Sequence, residues 1–582
     1  MRKTKIIATI GPSSSDVGVL EQMIEAGMNV ARFNFSHGGH GDHAEKIALV
    51  RKAAAKQGKI VGLMMDTKGP EIRTGALKNG RVILQKGLNF NLTTLPVAGD
   101  EAKVSVTCRR LINDVKPGDI ILIDDGLIRL TVENITKTDI VCQVVNGGEL
   151  GEHKGINVPG IVLDIPFMSE QDKEDILFAI EQRVDFIAAS FVRKAQDVLE
   201  IRKLLENRGA DIDIIAKIEN RQGVDNLDEI IKVADGIMVA RGDLGVEIPA
   251  EEVPLVQKRI IQTCAQSGKA VIVATQMLES MITNPSPTRA EVSDIATAVF
   301  ESADAIMLSG ETAKGQYPVE VVRTMSRIAE RVEESFPYED TLRKKYIKEG
   351  ISITDAISYA CCSTALSLDI GTIISITNSG YTSKMLSKYR PKATIIAATP
   401  KEENINKLTI VWGVYPILIS DHKNSDSFFD DAVQRALDLE YVEIGEKIVL
   451  SAGMPVGVSG ATNMMKVQVV AEILFHGTGI GTEPVSGKVK IIKSKEDLEK
   501  VENEDIIVTV SANTDFVRYL PMIKALVAEE GGLTSDAAIL GLNANIPVLV
   551  GAKNATKILQ DNQLITIDTL RGCVYQGIVK IK

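Results

Sequence analysis

Asp213-Ile214-Ile215-Ala216-Lys217-Ile218-Glu219 and, further along, Gly236-Ile237-Met238-Val239-Ala240-Arg241-Gly242-Asp243 are short apolar runs that each end in charge. Runs of this length, bounded by polar clusters, read as buried strands. Residues two apart on a strand share a face, so Lys217 and Glu219 point to the same place. Carboxylates on two neighbouring strand ends, Glu219 and Asp243, with a lysine beside them, are what a divalent cation holding a phosphorylated oxyacid requires. An ordinary surface ion pair is the plainer reading of the same residues. The rest of the chain decides between the two.

The pattern repeats. Strand-like runs occur at Lys5 to Ile10, Asn29 to Phe33, Ile60 to Met65, Asp185 to Ala189, Asp213 to Ile218, Gly236 to Ala240, Lys269 to Ala274 and Asp304 to Leu308. Helical segments lie between them, such as Val253 to Ser267 with its stop at Gly268, and Ser169 to Gln182, opened by a Ser169/Asp172 capping box. Eight buried strands alternating with helices predict a closed (β/α)8 TIM barrel, with a doubly wound open sheet as the alternative. Barrel chemistry sits at the C-terminal strand ends, and polar residues gather there: Arg32, Asn34 and Ser36; Asp66 and Thr67; Ser190 and Arg193; Lys217 and Glu219; Arg241 and Asp243; Thr275 and Gln276; Ser309 and Glu311. Polar loops after apolar strands explain part of this, but not the choice of residues.

Between Asp66 and Asp185 the pattern changes to short alternating runs, Val104 to Val106, Ile120 to Ile123 and Leu127 to Val132, broken by turn signals at Lys116-Pro117-Gly118 and Asp124-Asp125-Gly126. This predicts an inserted β-barrel lid domain, residues 70–164, with hinges at Gly69-Pro70 and Pro159-Gly160, overhanging the mouth of a catalytic barrel of residues 1–69 and 165–345. Strand-helix alternation resumes at Thr372 to Thr377, Thr394 to Ala398, Tyr415 to Ile419 and Lys447 to Ser451, an α/β domain over 346–475. There Thr377, Asn378, Ser379 and Thr382 precede or open a helix, a phosphate-binding arrangement that hydroxyl-rich capping would also produce; a second glycine-rich loop, Ala452 to Thr462, favours the former. Gly477 to Gly481 reads as a linker with no strand before it, so its glycines are not a dinucleotide fingerprint. An extra C-terminal α/β domain fills 476–582.

Length and 45% apolar content imply roughly three to five domains with ample core. A net charge of -11 argues against nucleic acid or an anionic membrane as partner and for small substrates. Six scattered cysteines without a C-x-x-C pair indicate neither zinc nor a disulfide framework. The apolar stretch after Met1-Arg2-Lys3-Thr4-Lys5 stops at Gly11-Pro12, too short for an export signal, and no run is long enough to cross a membrane, so a cytoplasmic protein is expected. His37, His40 and His43 lack the carboxylate or cysteine that would complete a transition-metal site.

Residues 1 to about 473 resemble the pyruvate kinases. The resemblance rests on Thr9-Ile10-Gly11-Pro12, Asn34-Phe35-Ser36-His37-Gly38, Asp66-Thr67-Lys68-Gly69-Pro70-Glu71-Ile72-Arg73, Ala216-Lys217-Ile218-Glu219-Asn220, Met238-Val239-Ala240-Arg241-Gly242-Asp243-Leu244-Gly245, Ala274-Thr275-Gln276-Met277-Leu278 and Met307-Leu308-Ser309-Gly310-Glu311-Thr312. It implies transfer of phosphate from phosphoenolpyruvate to ADP, giving pyruvate and ATP in the last step of glycolysis. It also implies a homotetramer. By position, Glu219 and Asp243 resemble the ligands of Mg2+ (or Mn2+). Asn34, Ser36, Asp66 and Thr67 resemble a K+ site, with Glu71 matching the potassium-dependent form. Lys217 and Arg32 resemble the groups on the phosphoryl oxygens. Amides of Ala240, Gly242 and Asp243, with Thr275, resemble those that hold the substrate carboxylate, and the enolate's proton is expected from the Thr275 neighbourhood through water. Arg73, His37, Lys154 and Asn34 resemble nucleotide contacts. Thr377, Asn378, Ser379 and Thr382 resemble the pocket of a phosphorylated effector such as fructose bisphosphate, ribose 5-phosphate or AMP.

The C-terminal string Gly531-Gly532-Leu533-Thr534-Ser535-Asp536-Ala537-Ala538-Ile539 resembles the phosphohistidine domain of phosphoenolpyruvate-utilising enzymes, with Asp536 where those carry histidine. Without an imidazole nitrogen, phosphate relay is not expected of it. Two other readings compete for the whole chain. A metal-dependent lyase or aldolase is disfavoured by the lid and nucleotide residues, and a catalytically dead scaffold is disfavoured because Arg32, Lys217, Glu219 and Asp243 are all present.

Overall fold

The computed structural model describes residues 1–345, 351–422, 425–453 and 462–579. They form two compact units, the first built on Met1–Ser363 with Thr377–Leu418, the second on Thr364–Ile376 with most of the chain after Leu418. The first contains a closed barrel of eight parallel strands. They are β1 (Lys5–Thr9), β2 (Val30–Asn34), β3 (Gly62–Asp66), β4 (Phe186–Ala189), β5 (Asp213–Ile218), β6 (Gly236–Ala240), β7 (Ala270–Ala274) and β8 (Ala305–Leu308). All eight predicted runs are barrel strands, because their residues are buried on both faces, against the barrel interior and against the helices. The expected helix stop is also present: Gly268 closes Val253–Ser267 in a left-handed conformation. The Ser169/Asp172 capping box opens Glu170–Glu181.

The barrel's N-terminal rim carries a device repeated on alternate strands. One residue before each even-numbered strand stands Asn29, Asp185, Asp235 or Asp304. Its backbone N–H donates to the carbonyl of the second residue of the preceding strand, Ile6, Leu63, Ile214 or Val271, at 2.9, 2.9, 2.9 and 3.0 Å. Its side-chain oxygen accepts that same residue's N–H, at 2.9, 2.7, 2.8 and 3.1 Å. Each ring satisfies a backbone amide where the ladder runs out and fixes register between one strand pair. Arg2, Arg202 and Arg390 then donate to Asn29, Asp235 and Asp304. These side-chain bonds knit the face opposite the C-terminal strand ends, where barrel chemistry sits.

The chain between β3 and β4 forms a seven-stranded sheet running from Ile72–Arg73 and Gly155–Asn157 to Lys103–Ser105, with a two-stranded ribbon beside it. Its entry and exit strands pair antiparallel, Ile72 with Ile156, so both hinges leave the barrel together. Gly69 and Gly160 have φ of 71° and 79°. A Cβ on Gly69 would lie 2.9 Å from that of Ser190, so glycine is required there twice over.

In the second unit, Thr372–Ile376 pairs in parallel with Lys447–Ala452. The C-terminal part is a mixed eight-stranded sheet. Here the expected linker is corrected. Ile473–His476 is a strand paired with Cys573–Gln576, and Thr478–Ile480, inside the Gly477 to Gly481 run, is another, paired with Val548–Val550. The glycines that disguised it have a packing cause: a Cβ on Gly479 would stand 1.9 Å from the Thr569 carbonyl oxygen. All six cysteines are free thiols. No helix among the described residues is long and apolar enough to cross a membrane.

Asp304 is the most heavily loaded of the rim residues. Besides Val271 it accepts the Trp412 N–H at 3.2 Å, and Arg390 at 2.9 Å, whose guanidinium lies 5.1 Å from the Trp412 ring. Asp304→Ala would strand a buried arginine, at a cost of roughly 3–5 kcal/mol. The urea midpoint of the barrel-containing unit is expected to fall accordingly, and less for Asp304→Asn, which keeps an acceptor for Val271; unchanged midpoints would contradict the role.

Candidate active site

The site is assembled from strand ends. Arg32 and Asn34 lie on β2 and Asp66 ends β3, with Asn34 and Asp66 register partners. Ser190 follows β4, Lys217 and Glu219 come from the end of β5, Asp243 from the short helix after β6, and Thr275 follows β7. Phe191, Thr275 and Gln276 all have positive φ, of 55°, 69° and 53°. Such strain in residues with side chains is typical of functional sites.

Asp66 is fully buried and organises the cations. It accepts Arg32 Nε at 2.6 Å on one oxygen, and Lys217 Nζ at 3.0 Å and the Ser190 hydroxyl at 3.1 Å on the other. Burial by itself would push its carboxyl up, but Arg32 and Lys217 hold it below the usual carboxylate range. Lys217 also donates to Ser190 Oγ at 2.7 Å and pairs with Glu219 at 3.0 Å. Burial opposes its charge, yet Asp66 and Glu219 outweigh that and raise its pKa.

Glu219 and Asp243 fare differently. Burial, with Asp243 adding repulsion against the pull of Lys217, pushes Glu219 up to about 7. Burial also raises Asp243, with Lys217 opposing and Asp125 and Glu71 repelling. Lys217 cannot satisfy both carboxylates because it is shared with Asp66. Two carboxylates, Glu219 buried and Asp243 half-buried, each short of positive charge, fit a divalent cation that takes its other oxygens from ligand and water. Among the described residues no group of three or more His, Cys, Asp or Glu could make a complete protein cage.

Thr275 Oγ1 accepts the Gly242 N–H at 2.8 Å, and Arg241 donates to the Thr275 carbonyl at 2.7 Å while pairing with Asp294 at 2.7 Å. The loops after β6 and β7 are thereby locked together.

The sequence matches the family description "Pyruvate kinase, barrel domain" over residues 1–322 and "Pyruvate kinase, alpha/beta domain" over 355–468. The chain belongs to the pyruvate kinase family. It is 51% identical to the pyruvate kinase of Bacillus licheniformis over 581 residues, 99% of each chain, and 51% identical to that of Geobacillus stearothermophilus over 580 residues, again 99% of each. It is 46% identical to that of Staphylococcus aureus strain MRSA252 over 584 residues, all of both chains. Residues 501–572 match "PEP-utilising enzyme, mobile domain". The protein is therefore an enzyme with phosphotransferase activity.

Within this pyruvate kinase barrel the remaining predicted residues are distributed as follows. Arg73 lies on the entry strand, bound to Glu71 at 2.8 Å and to the His153 carbonyl at 2.8 Å. Lys154, just before the exit strand, pairs with Asp124 at 2.9 Å. Asn34 accepts the Ser36 N–H at 3.0 Å. His37 offers its carbonyl to His43, while His40 pairs with Asp175 at 2.7 Å. His43 stacks on Phe35 and His40 on Phe178, so these two rings serve separate packing partners. Gly380 (φ 76°) opens the helix Tyr381–Lys388. Near it the Thr377 N–H donates to Ala398, Asn378 accepts from Asn404, and Thr382 meets the Thr462 hydroxyl at 2.9 Å. Most of the glycine-rich loop expected opposite, Ala452 to Thr462, lies outside the described residues.

Sequence reasoning noted Ser190 without a role, and read Asp172 only as a helix cap, whereas its buried carboxylate also accepts the hinge Gly69 N–H at 3.1 Å. Only the polar residue after an apolar strand hinted at the first.

A carboxyl near 7 must lose its proton to bind a cation. Mg2+ binding at pH 7 should therefore release protons, and affinity should fall as pH drops below about 7. Calorimetry in buffers of different ionisation enthalpy reads the release, and Glu219→Gln abolishes it; heats independent of buffer would contradict the assignment.

Proposed function

We propose that this protein transfers the phosphoryl group of phosphoenolpyruvate to ADP, giving pyruvate and ATP. The observation that carries the reading is the charge balance at the strand ends: Arg32 and Lys217 converge on Asp66, while Glu219 and Asp243 stay short of positive charge. In the proposed assignment Glu219 and Asp243 hold Mg2+ or Mn2+, which when bound supplies charge stabilisation on the phosphoryl and enolate oxygens. Asn34, Ser36, Asp66 and Thr67, an all-oxygen donor set, hold K+.

The chain's own residues do the rest. Lys217 and Arg32 donate to the phosphoryl oxygens while the bond from phosphorus to the enol oxygen breaks and the bond to the terminal phosphate oxygen of ADP forms. Positioning and charge stabilisation supply most of such catalysis. The Thr275 hydroxyl, fixed by Gly242 and the Ala274 carbonyl, orients the water that protonates the enolate carbon. Amides of Ala240 and Asp243 face the substrate carboxylate, joined by that of Gly242 when it leaves Thr275 Oγ1. Arg73, His37, Lys154 and Asn34 contact the nucleotide, and the inserted sheet over the mouth excludes water. Thr377, Asn378, Ser379 and Thr382 receive a phosphorylated effector of a homotetrameric cytoplasmic enzyme.

Purified protein is expected to form ATP from phosphoenolpyruvate and ADP only with both Mg2+ and K+ present; no ATP in that mixture, with metal binding intact, overturns the reading. Lys217→Met should abolish transfer yet leave part of the metal-dependent exchange of pyruvate's methyl protons, followed by NMR in heavy water. Equal loss of both would mean that the lysine chiefly builds the site.

A further inference from the structure

Ser190 sits where the three working parts of this site meet. Its hydroxyl is buried, accepts a proton of the Lys217 ammonium at 2.7 Å, and donates its own single proton to the Thr67 carbonyl at 2.6 Å, with Asp66 Oδ1 at 3.1 Å as the alternative acceptor. Its backbone N–H donates to Thr67 Oγ1 at 3.1 Å. Its Cβ is the atom against which hinge residue Gly69 packs, leaving no room for a side chain there. A hydroxyl can serve Lys217 as acceptor and only one of the two oxygens as donor at any moment. Its orientation is therefore set by which of Thr67 and Asp66 is the better acceptor.

We propose that Ser190 is a positioning residue that transmits the state of the Thr67–Asp66 oxygens to Lys217, and so couples monovalent-cation binding to phosphoryl transfer. The inference rests on the assignment of K+ and of Lys217 given under the proposed function. If the Thr67 carbonyl helped to hold a monovalent cation, the Ser190 hydroxyl proton would be disfavoured there and would turn to Asp66 Oδ1, the oxygen that also accepts Lys217. That would weaken the hold of Asp66 on Lys217, whose ammonium also reaches Ser190 at 2.7 Å and Glu219 at 3.0 Å. The ammonium would then keep Ser190 and Glu219 as anchors and be freer to face the phosphoryl group. In a linked chain of this kind each bond polarises the next.

The test compares wild type with Ser190→Ala and Ser190→Cys, the latter filling the space with a weak hydrogen-bonding group. Two quantities are read: the ratio of kcat in KCl to kcat in choline chloride, and the rise in melting temperature that KCl gives over choline chloride without substrates. Expected for both variants is an unchanged K+ rise in melting temperature, a kcat in KCl lowered about 10- to 100-fold, as for a misplaced catalytic group, and a K+ stimulation ratio reduced toward one. A variant that retains the wild-type ratio overturns the coupling. One that loses the melting shift also overturns it, because Ser190 would then be part of the cation site itself. Wild type that forms no ATP from phosphoenolpyruvate and ADP overturns the parent reading together with this one; an active wild type with unaltered variants overturns this one alone. Should Ser190→Ala fail to fold, Ser190→Cys decides.

Discussion

The carboxylate of Asp66 is the constraint on which the site depends. Taking an isolated carboxylate out of water costs several kcal/mol even after relaxation, and the same holds for an ammonium. Neither Asp66 nor Lys217 would be tolerated alone among the apolar strands of the barrel. Together with Arg32 they are, because the cations reach the two oxygens of one carboxylate from β2 and β5 at 2.6 and 3.0 Å. Burial by itself would have neutralised these groups; pairing keeps them charged, and it fixes both cations in the places where a phosphorylated substrate would meet them.

The same arrangement accounts for the imbalance next door. Three carboxylates, of Asp66, Glu219 and Asp243, share two cations, and because Asp66 is served first, the deficit falls on the other two. A divalent cation bound there would remove that deficit and turn the cluster's excess from negative to positive. An anionic substrate would then find an attractive site where the metal-free cluster repels it.

Much of this was legible in the sequence, and the exceptions have physical causes. The eight barrel strands could be read because parallel strands buried on both faces need continuous apolar runs, and Lys217 and Glu219 could be placed on one face by alternation alone. Asp66 was recognised as an oxygen donor at a strand end, but its role as shared anchor for Arg32 and Lys217 depends on residues far apart in the chain converging in space. Ser190 and Asp172 were obscure for the same reason. So were the rim residues Asn29, Asp185, Asp235 and Asp304, whose regularity appears only once each is seen to bond to the strand before its own. The run Gly477 to Gly481 misled in the opposite direction. Glycine density argues for a linker, but there glycines are required by a backbone that passes within contact of Thr569.

The account is tested most directly by replacing Asp66 with asparagine, which preserves shape and hydrogen-bonding capacity but removes the charge that holds Arg32 and Lys217 together. The decisive measurement is kcat for ATP formation from phosphoenolpyruvate and ADP, alongside the melting temperature. The account predicts a kcat loss of at least about 100-fold, the scale seen when an electrostatic group at a reacting centre is lost or displaced, in a protein that still folds. Turnover within a few-fold of wild type would show that the two cations find their places without Asp66, and would contradict it.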